Sequence, residues 1–89
     1  MYNANELALN VDQYMGETLV ADYRNGLNKD LETLVFGNNT DLLNNIAKAI
    51  IKKFSICGDI KQATKLICDR AIDVAKDILE FEYNFQFDD

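Results

Sequence analysis

The sequence predicts a mainly α protein: a small bundle of about four helices, with helices 3 and 4 forming an antiparallel hairpin, followed by a short β-like C-terminal tail. Apolar residues recur every three or four positions through most of the chain, the period of helices that bury one face. None of the 89 residues is proline, so no ring of that kind interrupts a helix. The last stretch, EFEYNFQFDD, instead alternates aromatic rings with acids and amides, which is the period of a strand.

Asn3 or Asn5 is placed to cap a first helix over residues 6–23, with Leu7, Val11, Tyr14, Met15 and Leu19 on its inner face. Gly16 weakens that helix by about 1 kcal/mol relative to alanine and marks a possible break. Leu7, Leu9 and Val11 also alternate, so ELALNVD competes as a short strand. RNGLNKD is a turn, because Asn25-Gly26 tolerates positive φ. A second, short helix over residues 28–36 places Leu27, Leu31, Leu34 and Val35 on one side. Gly37 ends it, and Thr40 is the natural N-cap of the next. The third helix covers residues 41–57, buries Leu43, Ile46, Ala47, Ile50 and Phe54, and stops at Gly58. Asp59 caps a fourth helix over residues 60–79, whose stripe is Ile60, Ala63, Ile67, Ala71, Val74 and Ile78. The tight CGD connection turns helices 3 and 4 into a hairpin. Residues 1–80 therefore form the bundle and residues 81–89 the tail.

Composition narrows the function classes. The chain is 48% hydrophobic and 27% charged, which is enough for one modest core and argues against disorder. No apolar run reaches the length of a membrane span, and the N-terminus lacks the basic start and apolar stretch of a signal peptide, so a cytoplasmic protein is expected. A net charge of -6 disfavours nucleic-acid backbones and anionic membranes as partners. Cys57 and Cys68 lie too far apart along the chain's helices for a disulfide and are expected to be free, buried thiols. The chain contains no histidine, the usual base for activating serine or cysteine and the commonest metal ligand. The two cysteines make no zinc spacing, and no glycine-rich phosphate loop follows a strand. No enzyme activity, metal or cofactor is expected.

The charges are unevenly placed. Residues 1–47 carry a balance of -5, residues 48–65 one of +4, and residues 66–89 again -5. The basic middle is Lys48, Lys52, Lys53, Lys61 and Lys65, a candidate anion- or partner-binding cluster. On the fourth helix, Lys61 and Lys65 are followed on the same ridge by Asp69, Asp73, Asp77 and Glu80. Helix dipoles favour the opposite order by about 0.3–1 kcal/mol per exposed group. Local helix stability therefore did not select this arrangement. A solvated face is the plain explanation; a dipolar module that stacks with its own copies or presents each pole to a partner is the functional one.

In the tail, a strand puts Phe81, Tyr83, Phe85 and Phe87 on one face and Glu80, Glu82, Asn84 and Gln86 on the other. A helix would strand two of those rings in water. The strand's mate is either internal, ELALNVD being a candidate, or another chain. Asp88 and Asp89 would then discourage edge-to-edge growth. The function these features favour is a non-enzymatic, acidic protein-binding module. It would act as an inhibitor or accessory factor of the phage- or plasmid-borne antagonist type, occupying another protein's surface or forming a homo-oligomer. The alternatives are a nucleic-acid mimic using the acidic ridge, and an oligomeric binder of a small phosphate or nucleotide at the lysines.

Overall fold

The computed structural model describes residues 3–37 and 39–87. Asn3 caps the first helix, α1 (Ala4–Met15): its side-chain oxygen accepts from the backbone N–H groups of Asn5, at 2.8 Å, and Glu6, at 3.4 Å. Leu7, Val11 and Met15 are buried while Leu9 faces solvent, so the helical period prevails over the alternating one. Gly16 does not break the rod. The backbone widens into a π-helical segment, Gly16–Val20, and continues as α2 (Ala21–Arg24). The extra residue in that turn rotates the faces, and both Leu19 and Val20 reach the core. The Thr18 hydroxyl donates to the Tyr14 carbonyl at 2.6 Å within this wider turn.

The predicted turn closes α2 as a Schellman motif. Gly26 sits at φ +70°, the Leu27 N–H donates to the Asp22 carbonyl and the Gly26 N–H to that of Tyr23. Leu27 is consequently solvent-exposed and not part of the core as expected. Helix α3 (Asp30–Phe36) starts two residues later than its apolar pattern implies, after the Asn28 side chain accepts from the Asp30 N–H at 3.1 Å. Gly37 ends it in extended backbone, where a Cβ would lie only 2.9 Å from the Thr33 carbonyl oxygen. The cap of the following helix is Asn39, whose side chain accepts from the Leu42 N–H at 3.0 Å, and not Thr40, which is the first helical residue.

Helix α4 (Thr40–Lys53) ends earlier than predicted. Ser55 adopts left-handed backbone at φ +52°, and the Ile56 N–H closes onto the Ile51 carbonyl at 3.0 Å, a Schellman stop formed before Gly58 is reached. The connection to α5 (Ile60–Tyr83) is therefore longer than CGD alone. Asp59 caps α5 as predicted, accepting from the Gln62 N–H at 3.1 Å. The α5 helix is the common packing partner of α1, α3 and α4. At 1.5 Å per residue its 24 residues reach about 36 Å, the 37 Å long axis of the whole molecule. Its buried stripe is Ala63, Ile67, Ala71, Ala75 and Leu79. The predicted stripe is corrected at both ends: Ile60 is 44% exposed, and Val74 and Ile78 are half-buried, facing the α1 side.

The tail is the largest correction. Among the described residues there is no strand. α5 runs through Phe81 and Tyr83, crossing the expected domain boundary, and stops only at Asn84, which is left-handed at φ +59°. A lone strand has no mate for its backbone groups, whereas the helix satisfies them within itself. The left-handed residue then re-aims the last rings, so that Phe85 and Phe87 fold back onto α3. Asp88 and Asp89 lie outside the described residues. Among the described residues, no helix is long and apolar enough to cross a membrane.

Candidate interaction surface

One end of α5 gathers most of the chain's aromatic side chains. The Phe36 ring at the end of α3 lies 5.8 Å from that of Phe85 and 5.6 Å from that of Phe87. Tyr83 meets Tyr23 edge-to-face at 4.9 Å. The Tyr23 hydroxyl donates to Glu32 at 2.7 Å, and burial together with that carboxylate pushes the phenol up to about 12. Arg24 clamps Glu82 through both carboxylate oxygens, the Nε bond being 2.9 Å, and its guanidinium holds the Glu82 carboxyl below its ordinary range.

Three of the four predicted tail rings thus pack on the protein itself, and Phe81 alone projects outward, 77% exposed. Phe36, 59% exposed, joins it as a large apolar group at this end. Phe36 carries no pattern signal: it is one ring beside a glycine, and its ring partners Phe85 and Phe87 come from the returning tail.

The five lysines do not form a single cluster. Lys48 and Lys52 line an open groove of about 310 Å³ between α4 and α5, floored by Ile51 and Ile60 with Asn44 and Thr64 alongside. Lys53 turns the other way, to Glu17 on the π-helical segment at 2.8 Å and over the rings of Tyr14 and Phe54. That ion pair lowers the Glu17 carboxyl. Lys61 and Lys65 stand on the outer face of α5, where Lys65 reaches Asp69 at 3.4 Å.

The acidic ridge is present and exposed at Asp69, Asp73 and Asp77. Its next member at the same spacing is Phe81; Glu80 sits about a quarter-turn round the helix. One residue on from Asp69, Arg70 donates to both carboxylate oxygens of Asp12 at 2.8 Å, tying α5 to α1. The Asp12 hydrogen bond keeps Arg70 firmly charged, and the fields of Asp73 and Asp77 act in the same direction. A cation therefore lies beside the acidic row.

Neither thiol forms a disulfide. Cys57 is exposed in the α4–α5 connection, contrary to the expected burial, because α4 has already ended. Cys68 is half-buried near the Leu43 carbonyl, and burial raises its pKa. Among the described residues, no group of three or more cysteine or acidic side chains could hold a metal ion. No protein-family model matches the chain, and no curated protein or solved structure matches it.

Proposed function

We propose that this protein is a non-enzymatic binding module that occupies another protein's surface with its aromatic end, as a small inhibitor or accessory factor does. The observation that carries the reading is the exposure of Phe81 and Phe36 at one end of a small acidic molecule, in a chain that has no histidine. Large exposed rings are costly to leave in water and are the residues that anchor interfaces. Their surroundings define the partner. Asp77 and Glu80 border Phe81, so the complementary surface is an apolar recess with a basic rim. Two free thiols, one of them exposed, suit a reducing compartment. The mimic reading is weaker, since Arg70 and Lys65 interrupt the acidic field.

The test removes the two exposed rings, with Phe81→Ala alone as the variant that disturbs no packed ring, since Phe36 also supports Phe85 and Phe87. Tagged wild-type protein and the Phe36→Ala/Phe81→Ala variant are compared in affinity capture from host extract, with captured proteins identified by mass spectrometry. A partner retained by the wild type and lost by the double variant supports the reading, provided circular dichroism shows unchanged helix content. A partner held equally by both forms, or none held by either, removes the aromatic end as the binding face.

A further inference from the structure

An open trough of about 290 Å³ runs between the first rod and α5. Its α5 wall is Arg70, Val74 and Asp77, and Phe81 continues the same line. Those positions are spaced by four, three and four, which keeps them within about 60° of one another round the helix. The opposite wall is Asp12, Gly16, Val20 and Arg24, and Ile78 joins Val20 and Val74 in an apolar floor. We propose that this trough seats an amphipathic helix of a partner protein, with its apolar face on that floor and a lysine or arginine against Asp77. The inference rests on the reading of Phe81 as an interface residue and names what lies beside that ring in the complex.

Gly16 is the residue the fold does not explain. Glycine is a poor choice inside a helix, and here its backbone is ordinary right-handed helix, at φ -61° and ψ -39°. A Cβ at this position would meet nothing within 4 Å. Neither packing nor conformation therefore calls for glycine, and any helix-favouring residue would serve the rod better. What glycine does provide is open space in the wall of the trough, where a second backbone can come close. Phe81 stands four residues after Asp77 and three after Ile78, so it neighbours both on the next turn. Helical side chains lean toward the N-terminus of their own helix, which carries the exposed ring back toward the trough.

The charges at the rim select the occupant. Both arginines are committed to carboxylates of their own chain, Arg70 to Asp12 and Arg24 to Glu82. Among the described residues, Asp77 forms no salt bridge, so the rim has an acid to offer and asks for a cation. The volume lies at the foot of the roughly 300–1,000 Å³ of small-molecule sites, and an open trough cannot enclose such a ligand, so side chains of a protein fit it better. Among the described residues there is no strand, hence no sheet edge to which an extended segment could add. A helix satisfies its own backbone and needs only a groove. From Arg70 to Glu82 the α5 wall rises about 18 Å, room for three turns of such a helix with anchors at i, i+4 and i+7.

The probe is a displayed library of helix-forming peptides, selected on the immobilised full chain, with affinities then measured by fluorescence anisotropy. Enriched peptides are expected to carry apolar residues at i, i+4 and i+7 with a lysine or arginine beside them. Gly16→Gln, which fills the trough, should weaken their binding at least tenfold while raising the thermal midpoint, because glutamine favours a helix over glycine. Asp77→Asn should weaken binding severalfold and flatten its dependence on salt. A selection that yields no binder overturns the proposal, as do binders whose affinity is unchanged in either variant. A Gly16→Gln chain that melts below the wild type also overturns it, since the glycine would then serve the fold. A wild type that dimerises in sedimentation equilibrium while Gly16→Gln stays monomeric makes a second copy the occupant and overturns the assignment to a partner. Failure of the peptides while Phe81→Ala still loses its host partner removes the trough and leaves the proposed function. Peptides that bind in the trough while Phe81→Ala keeps its host partner do the reverse.

Discussion

Tyr23 shows how much one side chain's surroundings can decide. Its phenol sits between the Tyr83 ring and the Glu32 carboxylate, and burial with that carboxylate moves its titration from 10.0 to about 12. The folded form therefore holds its proton more tightly than the unfolded chain. The stabilisation this provides is complete below pH 10 and is lost as pH rises toward 12. Thermal melts across that range should show a decline in stability that is smaller in Tyr23→Phe, which has no phenolic proton to lose. An equal decline in both proteins would mean that other groups dominate. Ser55 makes a second residue-scale case. A non-glycine residue in left-handed backbone is strained, and the Schellman stop of α4 requires that conformation. Ser55→Gly is expected to stabilise the fold by about 0.5–1 kcal/mol, read as a raised urea midpoint with unchanged slope.

At the scale of the element, α5 explains why three other helices can share one partner. Ala63, Ala71 and Ala75 are fully buried on a stripe that also holds Ile67 and Leu79, and small side chains let neighbouring backbones come close. Ala71→Leu inserts volume where none is free and should cost about 1–3 kcal/mol, seen as a lower thermal midpoint in a protein that remains helical. A midpoint as high as the wild type's would show that the stripe has slack. The π-helical segment does comparable work in the first rod. The extra residue at Gly16–Val20 brings Val20 round toward the side of Met15 and Leu19, and all three are buried.

At the scale of the whole molecule, α5 runs end to end, its basic start at one pole and its aromatic finish at the other. The returning tail belongs to the second pole: Phe85 and Phe87 are half-buried against Phe36. Ending the chain at Tyr83 is therefore expected to leave a soluble helical protein, destabilised by about 1–3 kcal/mol through loss of those two rings. Chemical denaturation of the truncated chain measures this. Unchanged stability would show that the tail's packing contributes nothing to the fold.

Sequence alone determined the features that depend on local physics. The helical period of Leu7, Val11 and Met15, the cap at Asp59 and the turn at Gly26 act within a few residues of themselves, so neighbouring residues suffice to read them, while the sequence left the first cap between Asn3 and Asn5 and the structure gives it to Asn3. The acidic row of α5 was visible for the same reason, since residues four apart are neighbours on successive turns of one helix. Tertiary structure decided what local patterns leave degenerate. The tail's alternation fits a strand, yet Tyr83 has Tyr23 to meet and Glu82 has Arg24, and those contacts from distant parts of the chain extend the helix. The basic middle reads as one cluster, but Glu17 draws Lys53 to the opposite side of α4. Phe36 acquires its role only when Phe85 and Phe87 return to it. Such contacts join residues far apart in the chain, and whether each forms depends on how the helices pack, which no local period encodes.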